Sequence, residues 1–199
     1  MKLKRLIQLM GLWTKRGARR RGRYLKQHNI MASIGDNVRY QPRKIPLYPE
    51  LIRIGDNVMI GSNVSLITHD AIHVVYNKLP NKEKDLPEKV GCIDIGSNIF
   101  IGARTIIIGD VKIGDNIIIS SGTLVNKDLE SGGVYGGVPA HRIGDFDAFW
   151  EKRLRMPYQS VKRNQMITAD EVENAWKQFS EARKTNADMK VFLDDEKRD

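Results

Sequence analysis

The chain has 199 residues, of which 41% are hydrophobic, which suits one folded domain with appendages and argues against a disordered chain. Its formal net charge of +9 favours contact with anionic molecules. The single cysteine, Cys92, excludes an intrachain disulfide, and no stretch reaches the ~18 apolar residues of a membrane-spanning helix. These features predict a cytoplasmic protein in which Cys92 is a small buried thiol.

Residues 1–33 form a basic segment that begins with a predicted helix. Large apolar residues recur at helical spacing within residues 3–13, and they are Leu3, Leu6, Ile7, Met10 and Trp13. We expect this apolar stripe to pack on the core of the protein rather than on a membrane. Residues 1–28 contain ten cations and no acid, which leaves open a contact with anionic lipid or with a phosphorylated glycan. Aromatic residues are scarce among these cations, so we do not expect a nucleic-acid partner.

Residues 34–144 repeat with a period of six. The first position of each hexad holds a branched apolar residue in an unbroken run, namely Ile95, Ile101, Ile107, Ile113, Ile119 and Val125. The fifth position is also restricted, to Ile99, Thr105, Val111, Ile117, Thr123 and Leu129. Six is the period of a parallel β-helix, in which three short strands and three corners make a coil of ~18 residues. The pattern therefore predicts an all-β fold of roughly five coils, with first and fifth positions pointing inward.

Residues 72–92 interrupt the repeat as a long, charged excursion with two prolines. Loops of this length inside a compact domain are usually functional. His69 stands just before the excursion, at the fourth position of its hexad, where Asn57 and Asn63 stand in the two preceding hexads. The fourth position should face outward at a corner, so His69 is either a general base or a substitute for a turn asparagine. Asp70 is adjacent, but the pattern assigns no orienting partner to His69.

Residues 145–199 lie beyond the repeat and are predicted to form helices that end in a frayed acidic tail, "LDDEKRD". Residues 146–155 have the composition of a short helix. Thr168 and Glu171 have the spacing of a capping box, and apolar residues at helical spacing follow them. The chain thus divides into a basic helical segment (1–33), a β-helix domain (34–144) and flanking C-terminal helices (145–199).

The hexads, the histidine before the excursion and the closing "GVPAHRI" together resemble the hexapeptide-repeat acyltransferases. The nearest groups are the galactoside, maltose, capsular-sugar and xenobiotic acetyltransferases, and the likeness covers roughly residues 34–144. It implies a left-handed β-helix, although parallel crossovers are ordinarily right-handed. It also implies a homotrimer with active sites between subunits, acetyl-CoA as the donor, and a hydroxyl of a sugar or surface-polysaccharide precursor as the acceptor.

The resemblance also implies roles for individual residues. It makes His69 the catalytic base and places contacts to coenzyme A at Ala103, Ser121, Asn126, Lys127 and at His141 or Arg142. Lys127 and Arg142 could pair with its phosphates, and the small Gly102 would leave room for its thin pantetheine arm. Phe100 stands where close relatives often have tryptophan, which alters a stacking surface near the acceptor. Apart from the resemblance, His73 in the excursion is expected either to line the acceptor pocket or simply to be exposed.

Two other functions are compatible with parts of the sequence. A non-catalytic β-helix could bind anionic partners through the basic segment. A zinc enzyme similar to the γ-class carbonic anhydrases would need three protein ligands, but His69 and His73 have no apparent third partner. We therefore expect no metal.

Overall fold

A computed structural model describes residues 2–155 and 166–195. The chain divides into two compact units, Met1–Arg153 and Leu154–Asp199. The first unit contains all the described strands, which form three sheets that are parallel apart from one pair of strands. The second unit contains the end of one helix and a long C-terminal helix.

Short strands of two to five residues form the three sheets, which are numbered by their order of first appearance in the chain. The first sheet contains β1 (Ser33–Ile34), β3 (Ile52–Ile54), β6 (Ile93–Ile95) and β9 (Val111–Ile113). The second contains β2 (Arg39–Tyr40), β4 (Val58–Ile60), β7 (Ile99–Ile101), β10 (Ile117–Ile119), β12 (Gly133–Gly136) and β13 (His141–Asp145). The third contains β5 (Ser65–Ile67), β8 (Ile106–Ile108) and β11 (Leu124–Val125). Only the β12–β13 pair is antiparallel among the described strands.

The chain visits the three sheets in rotation, so successive coils stack as a parallel β-helix. Ile107 pairs with Val125 and Ile95 with Ile113, which are partners one coil apart. Asn98 and Asn116, at one corner, are separated by 18 residues, whereas the coil with the excursion takes 41 residues from Asn57 to Asn98. Three coils contribute a strand to every sheet, and incomplete coils flank them. The strand pairing confirms the predicted parallel β-helix.

The interior of the β-helix is filled by the two restricted positions of the hexad. All six first-position residues and all six fifth-position residues of the run from Ile95 to Leu129 are buried. The buried hydroxyls of Thr105 and Thr123 donate to the carbonyl oxygens of Gly102 and Ser120, at 2.8 and 2.7 Å, so neither is left unpaired. The predicted inward orientation is therefore confirmed.

A ladder of asparagines lines the corner between the first and second sheets. Asn37, Asn57, Asn98 and Asn116 all have positive φ, between 54° and 59°. The first three side-chain amides each donate to the oxygen of the next asparagine along the stack, at 2.8 to 3.0 Å. Asparagine tolerates the left-handed conformation better than other side chains because its amide can hydrogen-bond locally. The same positive-φ turn thus recurs at this corner in successive coils, and the asparagine hydrogen bonds link one turn to the next.

Two helices cover the N-terminal part of the β-helix. They are α1 (Lys2–Thr14) and α2 (Ala18–Gln27). Leu12 and Leu25 are fully buried. The buried Arg21 donates to the carbonyl oxygens of Lys15, Tyr40 and Gln41 at 2.9 to 3.0 Å, and burial lowers the pKa of its guanidinium. Arg21 therefore fastens α2 to the end of β2.

The predicted packing of the α1 stripe on the core is wrong. Leu3, Leu6, Ile7, Met10 and Trp13 are 53–70% exposed. The helix turns its other side to the protein, where Leu12 is buried and Leu9 packs against the core. Helical spacing identifies an apolar face but not the surface that covers it.

Three further helices belong to the excursion and the C-terminal part. The excursion contains α3 (Ile72–Tyr76), and α4 (Phe146–Arg155) matches the helix predicted there. The last described helix is α5 (Ala169–Asp195), and residues 196–199 of the predicted acidic tail lie outside the described residues. The predicted capping box is confirmed, since Thr168 N–H donates to Glu171 Oε2 at 2.8 Å and Glu171 N–H to Thr168 Oγ1 at 3.3 Å.

Candidate functional site

His69 lies on the border between the third sheet and the first. The turns after β5, β8 and β11 stack along this border, and we call residues 68–70, 109–110 and 126–128 the His69 edge. Ile67 pairs with Ile108, which brings His69 level with Asp110. His69, Asp70, Lys89, Gly109 and Asp110 line a small open cleft there. The expected position at a corner is what the structure shows.

The returning end of the excursion holds the backbone of His69 in place. His69 and Val90 form an antiparallel bridge. On either side, Gly91 N–H donates to Thr68 O at 2.8 Å and Asp70 N–H to Lys89 O at 3.1 Å. The buried Thr68 also donates its hydroxyl to Leu47 O. The histidine is thus presented on a short two-stranded ribbon rather than on a free loop.

Tyr48 packs against the imidazole of His69 and is itself held by Glu88. The ring of Tyr48 meets that of His69 edge-on, with centroids 5.7 Å apart. The Tyr48 hydroxyl donates to Glu88 Oε2 at 2.9 Å, and this bond raises the pKa of the Tyr48 phenol. Among the described residues, nothing hydrogen-bonds to the buried Nδ1 of His69 or to that of His73. Tyr48, held by Glu88, therefore packs edge-on against the ring, while the buried Nδ1 of His69 has no hydrogen-bond partner among the described residues.

Asp70 does not serve as an evident orienting group for His69. Its Oδ1 accepts a hydrogen bond at 3.1 Å from the N–H of Ile72, the first residue of α3. On the other wall of the cleft, Lys89 and Asp110 form an ion pair at 3.2 Å. Both side chains are more than half exposed, so the pair contributes shape and local charge more than stability.

The expected contacts to coenzyme A fall on two borders of the third sheet. Asn126 and Lys127 are exposed and lie on the His69 edge. Gly102, Ala103 and Ser121 lie on the other border, which we call the Ser121 edge (residues 61–63, 102–104 and 120–122) and whose turns are joined by backbone hydrogen bonds. One chain therefore does not bring these residues together.

The space at Gly102 is taken by the neighbouring coil. Gly102 is buried, and a Cβ there would lie 2.4 Å from Ser121 N. The small size of this residue therefore serves coil packing rather than ligand access, which corrects the expected reason for a glycine at this position. Ala103 is partly exposed and Ser121 is exposed, so these two remain accessible from outside.

The "GVPA" motif forms the turn between β12 and β13. Its Val138–Pro139 peptide bond is cis. Leu124 N–H donates to Gly137 O at 3.0 Å, and Ala140 N–H donates to Leu124 O at 2.7 Å, so the turn closes the end of the third sheet. The motif thus lies at the same end of the β-helix as the strand β11.

The remaining predicted residues lie on three different elements, β13, β7 and α3. His141 and Arg142 follow the turn on β13 and are exposed, and Arg142 donates to Gly132 O at 3.0 Å and to Asp145 Oδ2 at 3.3 Å. Phe100 lies on the outer face of the second sheet, beside Ile118 and Trp150, and not at the His69 edge. His73 belongs to α3 in the excursion.

Cys92 is exposed, so the prediction of a buried thiol is wrong. It precedes β6, and its carbonyl oxygen accepts from Asp110 N–H at 2.7 Å. Within residues 2–155 and 166–195, no group of three histidine, cysteine or carboxylate side chains is arranged to hold a metal. The helices described for this chain include none with the length and apolar character to cross a membrane.

Residues 51–73 and 93–127 match the family model of the hexapeptide repeat of succinyl-transferase. Protein CapG of Staphylococcus aureus is 41% identical over 117 residues, which are 58% of this chain and 65% of CapG. The chain therefore spans less than two thirds of the length of this curated relative.

Solved structures of acetyltransferases share the fold. A maltose O-acetyltransferase from Clostridium difficile 630 superposes with a TM-score of 0.53 at 22% identity, over 72% of this chain and 84% of that one. A galactoside acetyltransferase in complex with coenzyme A superposes with a TM-score of 0.54 at 21% identity, over 83% and 88% of the two chains. Residues 51–73 and 93–127 thus carry the hexapeptide repeat, and the chain shares its left-handed parallel β-helix fold with these acetyltransferases.

Proposed function

We propose that the protein transfers an acetyl group from acetyl-CoA to a hydroxyl of a sugar or surface-polysaccharide precursor, with His69 as the general base. The observation that carries this proposal is the position of His69, which a two-stranded ribbon presents beside an open cleft on a hexapeptide-repeat β-helix. The structural likeness to sugar acetyltransferases supports the class of acceptor.

The reaction requires one proton transfer and one acyl transfer. The imidazole of His69 accepts the proton of the acceptor hydroxyl while the hydroxyl oxygen of the acceptor forms a bond to the thioester carbonyl carbon. The carbon–sulfur bond then breaks, and the proton passes from the imidazolium to the departing thiolate. No covalent acyl-enzyme is needed, because a thioester is already activated toward an oriented nucleophile.

The acetyl-CoA donor would lie where residues from both borders of the third sheet can contact it. Lys127 on the His69 edge can pair with a phosphate of coenzyme A, and His141 or Arg142 beyond the "GVPA" turn can do the same. Ala103 and Ser121 lie on the Ser121 edge, across the third sheet. A site that includes both sets needs the His69 edge of one subunit and the Ser121 edge of its neighbour, which supports a homotrimer with sites between subunits.

The outer face of the third sheet is suited to such an interface. It exposes 36–40% of Ile67, Ile106 and Ile108 between the two edges. Aspartate in place of Ile106 should dissociate the oligomer because it would place a charge in an apolar contact. We expect sedimentation equilibrium to give the trimer mass for the native chain and the monomer mass for Ile106→Asp, with unchanged circular dichroism.

Ile72→Asp is the matched control for this substitution, because Ile72 is 65% exposed on α3. It should leave the mass unchanged. A native-like trimer of Ile106→Asp would show that the third sheet is not the subunit interface.

The acetyl transfer itself is tested by thiol release. Purified protein and acetyl-CoA are incubated with nucleotide sugars, simple glycosides, serine and aminoglycosides, and free coenzyme A is measured against a reaction without acceptor. We expect release with a hydroxyl-bearing sugar and an O-acetyl product by mass spectrometry. Release only with amines would refute the proposed acceptor class, and release with no compound in the panel would count against the sugar assignment as a whole.

A further inference from the structure

The first helix exposes an apolar surface that nothing in the chain covers among the described residues. The α1 stripe, formed by Leu3, Leu6, Ile7, Met10 and Trp13, is 53–70% exposed along about three turns of helix. Leu12 and Leu9, on the other side, already attach the helix to the protein. The stripe is therefore not needed to hold α1 in place, and contiguous apolar surface of this kind usually marks an interaction site.

Exposed cations belong to the same N-terminal segment as the stripe. Arg5 donates to the carbonyl oxygens of Ile45 and Pro46, and Arg21 is buried, so neither is available to a partner. Lys26 is paired with Asp36, the first acid in the chain. The cations that remain exposed in this segment include Lys4, Arg16, Arg19, Arg20 and Arg23.

Side-chain contacts join α1, which bears the stripe, to α2, which bears most of the exposed cations. The Tyr24 hydroxyl on α2 donates to Gln8 O on α1 at 3.2 Å, and Lys15 lies over the Tyr24 ring at 5.3 Å. At the end of the stripe, Arg43 lies over the Trp13 ring at 5.4 Å and donates to Trp13 O. Arg43, a cation of the β-helix domain, therefore lies in contact with the exposed Trp13.

We propose that the α1 stripe lies in the surface of a lipid bilayer that contains anionic headgroups. A helix with large apolar residues on one face and cations around it binds in the plane of such an interface, with its apolar face among the acyl chains. Trp13 suits the headgroup level, where tryptophan is enriched. The cations supply attraction that is worth about fivefold in affinity per residue near an anionic surface. This inference does not depend on the acetyl transfer proposed above.

A second copy of the chain fits the same surface less well. Two N-terminal segments in contact would bring together twenty cations without an acid, because each has ten in residues 1–28. Nucleic acid also fits less well, because its phosphates would leave the five large apolar side chains uncovered. Tyr24, which could have stacked on a base, is buried.

Vesicle binding by the full chain tests the proposal. We expect the protein to sediment with vesicles of phosphatidylcholine and phosphatidylglycerol, to bind much less to pure phosphatidylcholine, and to lose affinity as salt is raised. Ile7→Ser with Met10→Ser should weaken binding at least about tenfold by removing apolar burial. Arg19→Gln with Arg20→Gln should weaken it about 25-fold, or fivefold for each cation.

Two paired controls match these variants at other surfaces. Val75→Ser with Leu79→Ser removes exposed apolar residues from the excursion, and Arg53→Gln with Lys112→Gln removes exposed cations from the first sheet. Neither should change vesicle binding more than about twofold. If the Ile7/Met10 variant instead binds vesicles like the native chain, or changes the oligomeric mass in buffer, the membrane assignment is overturned. Tighter binding to duplex DNA than to the anionic vesicles would also overturn it.

Discussion

Replacing His69 with alanine should lower turnover at least ~100-fold, because a positioned base contributes about 10²- to 10⁴-fold to such a transfer. The affinity for coenzyme A should persist, since the donor contacts proposed above come from other residues. Steady-state thiol release and calorimetric titration with coenzyme A separate the two effects. Loss of turnover without loss of binding is the signature of a missing base.

The comparison needs variants that test the ring and the position separately. His69→Asn introduces the residue type that stands at the equivalent position of the preceding hexads, so it should fold like the native chain and still be inactive. His28→Ala removes another histidine, which stacks on Tyr24 at the end of α2, and should retain turnover. Turnover of His69→Ala within tenfold of the native rate would disprove the base assignment, even if acetyl transfer itself is observed.

Replacing Ile107 with alanine should lower the free energy of unfolding by about 2–5 kcal/mol, because it leaves a cavity in the interior of the β-helix. Ile107 is fully buried and pairs with Leu66 on one side and Val125 on the other, so the cavity affects three neighbouring coils. Their backbones are held by parallel hydrogen bonds and cannot readily collapse into the space. Urea denaturation followed by circular dichroism measures the loss.

Ile72→Ala removes the same atoms from a side chain that is 65% exposed on α3. Its effect should stay within about 0.5 kcal/mol, as for most surface substitutions. Equal losses for the two variants would contradict the assignment of first hexad positions to the interior.

The hexad predicted the β-helix well because its period is a consequence of the backbone. Each inward residue must stack on its equivalent one coil away, so Ile101 and Ile119, which pair across β7 and β10, are both branched and apolar. The corner asparagines are equally readable, because few other residues tolerate their positive φ. Because these requirements apply to every coil, they produce a periodic pattern in the sequence.

The residues around His69 show no such periodic pattern in the sequence. Tyr48, Glu88 and Lys89 lie outside the hexads, and contacts across 40 residues, such as the Tyr48–Glu88 hydrogen bond, follow from the path of the excursion alone. The only signal was indirect, namely the charged excursion that follows His69. Periodicity cannot locate side chains that occur once.

The sequence by itself determined the coil, its inward and outward positions and the corner that carries His69, because these depend on local geometry repeated at a constant interval. The tertiary structure decided which side of α1 faces the protein, that Cys92 is exposed, and that Asn126 and Ser121 lie on different borders of the third sheet. Those outcomes depend on contacts between distant segments, whose free energies are summed over the whole fold and are not written in any single stretch of residues.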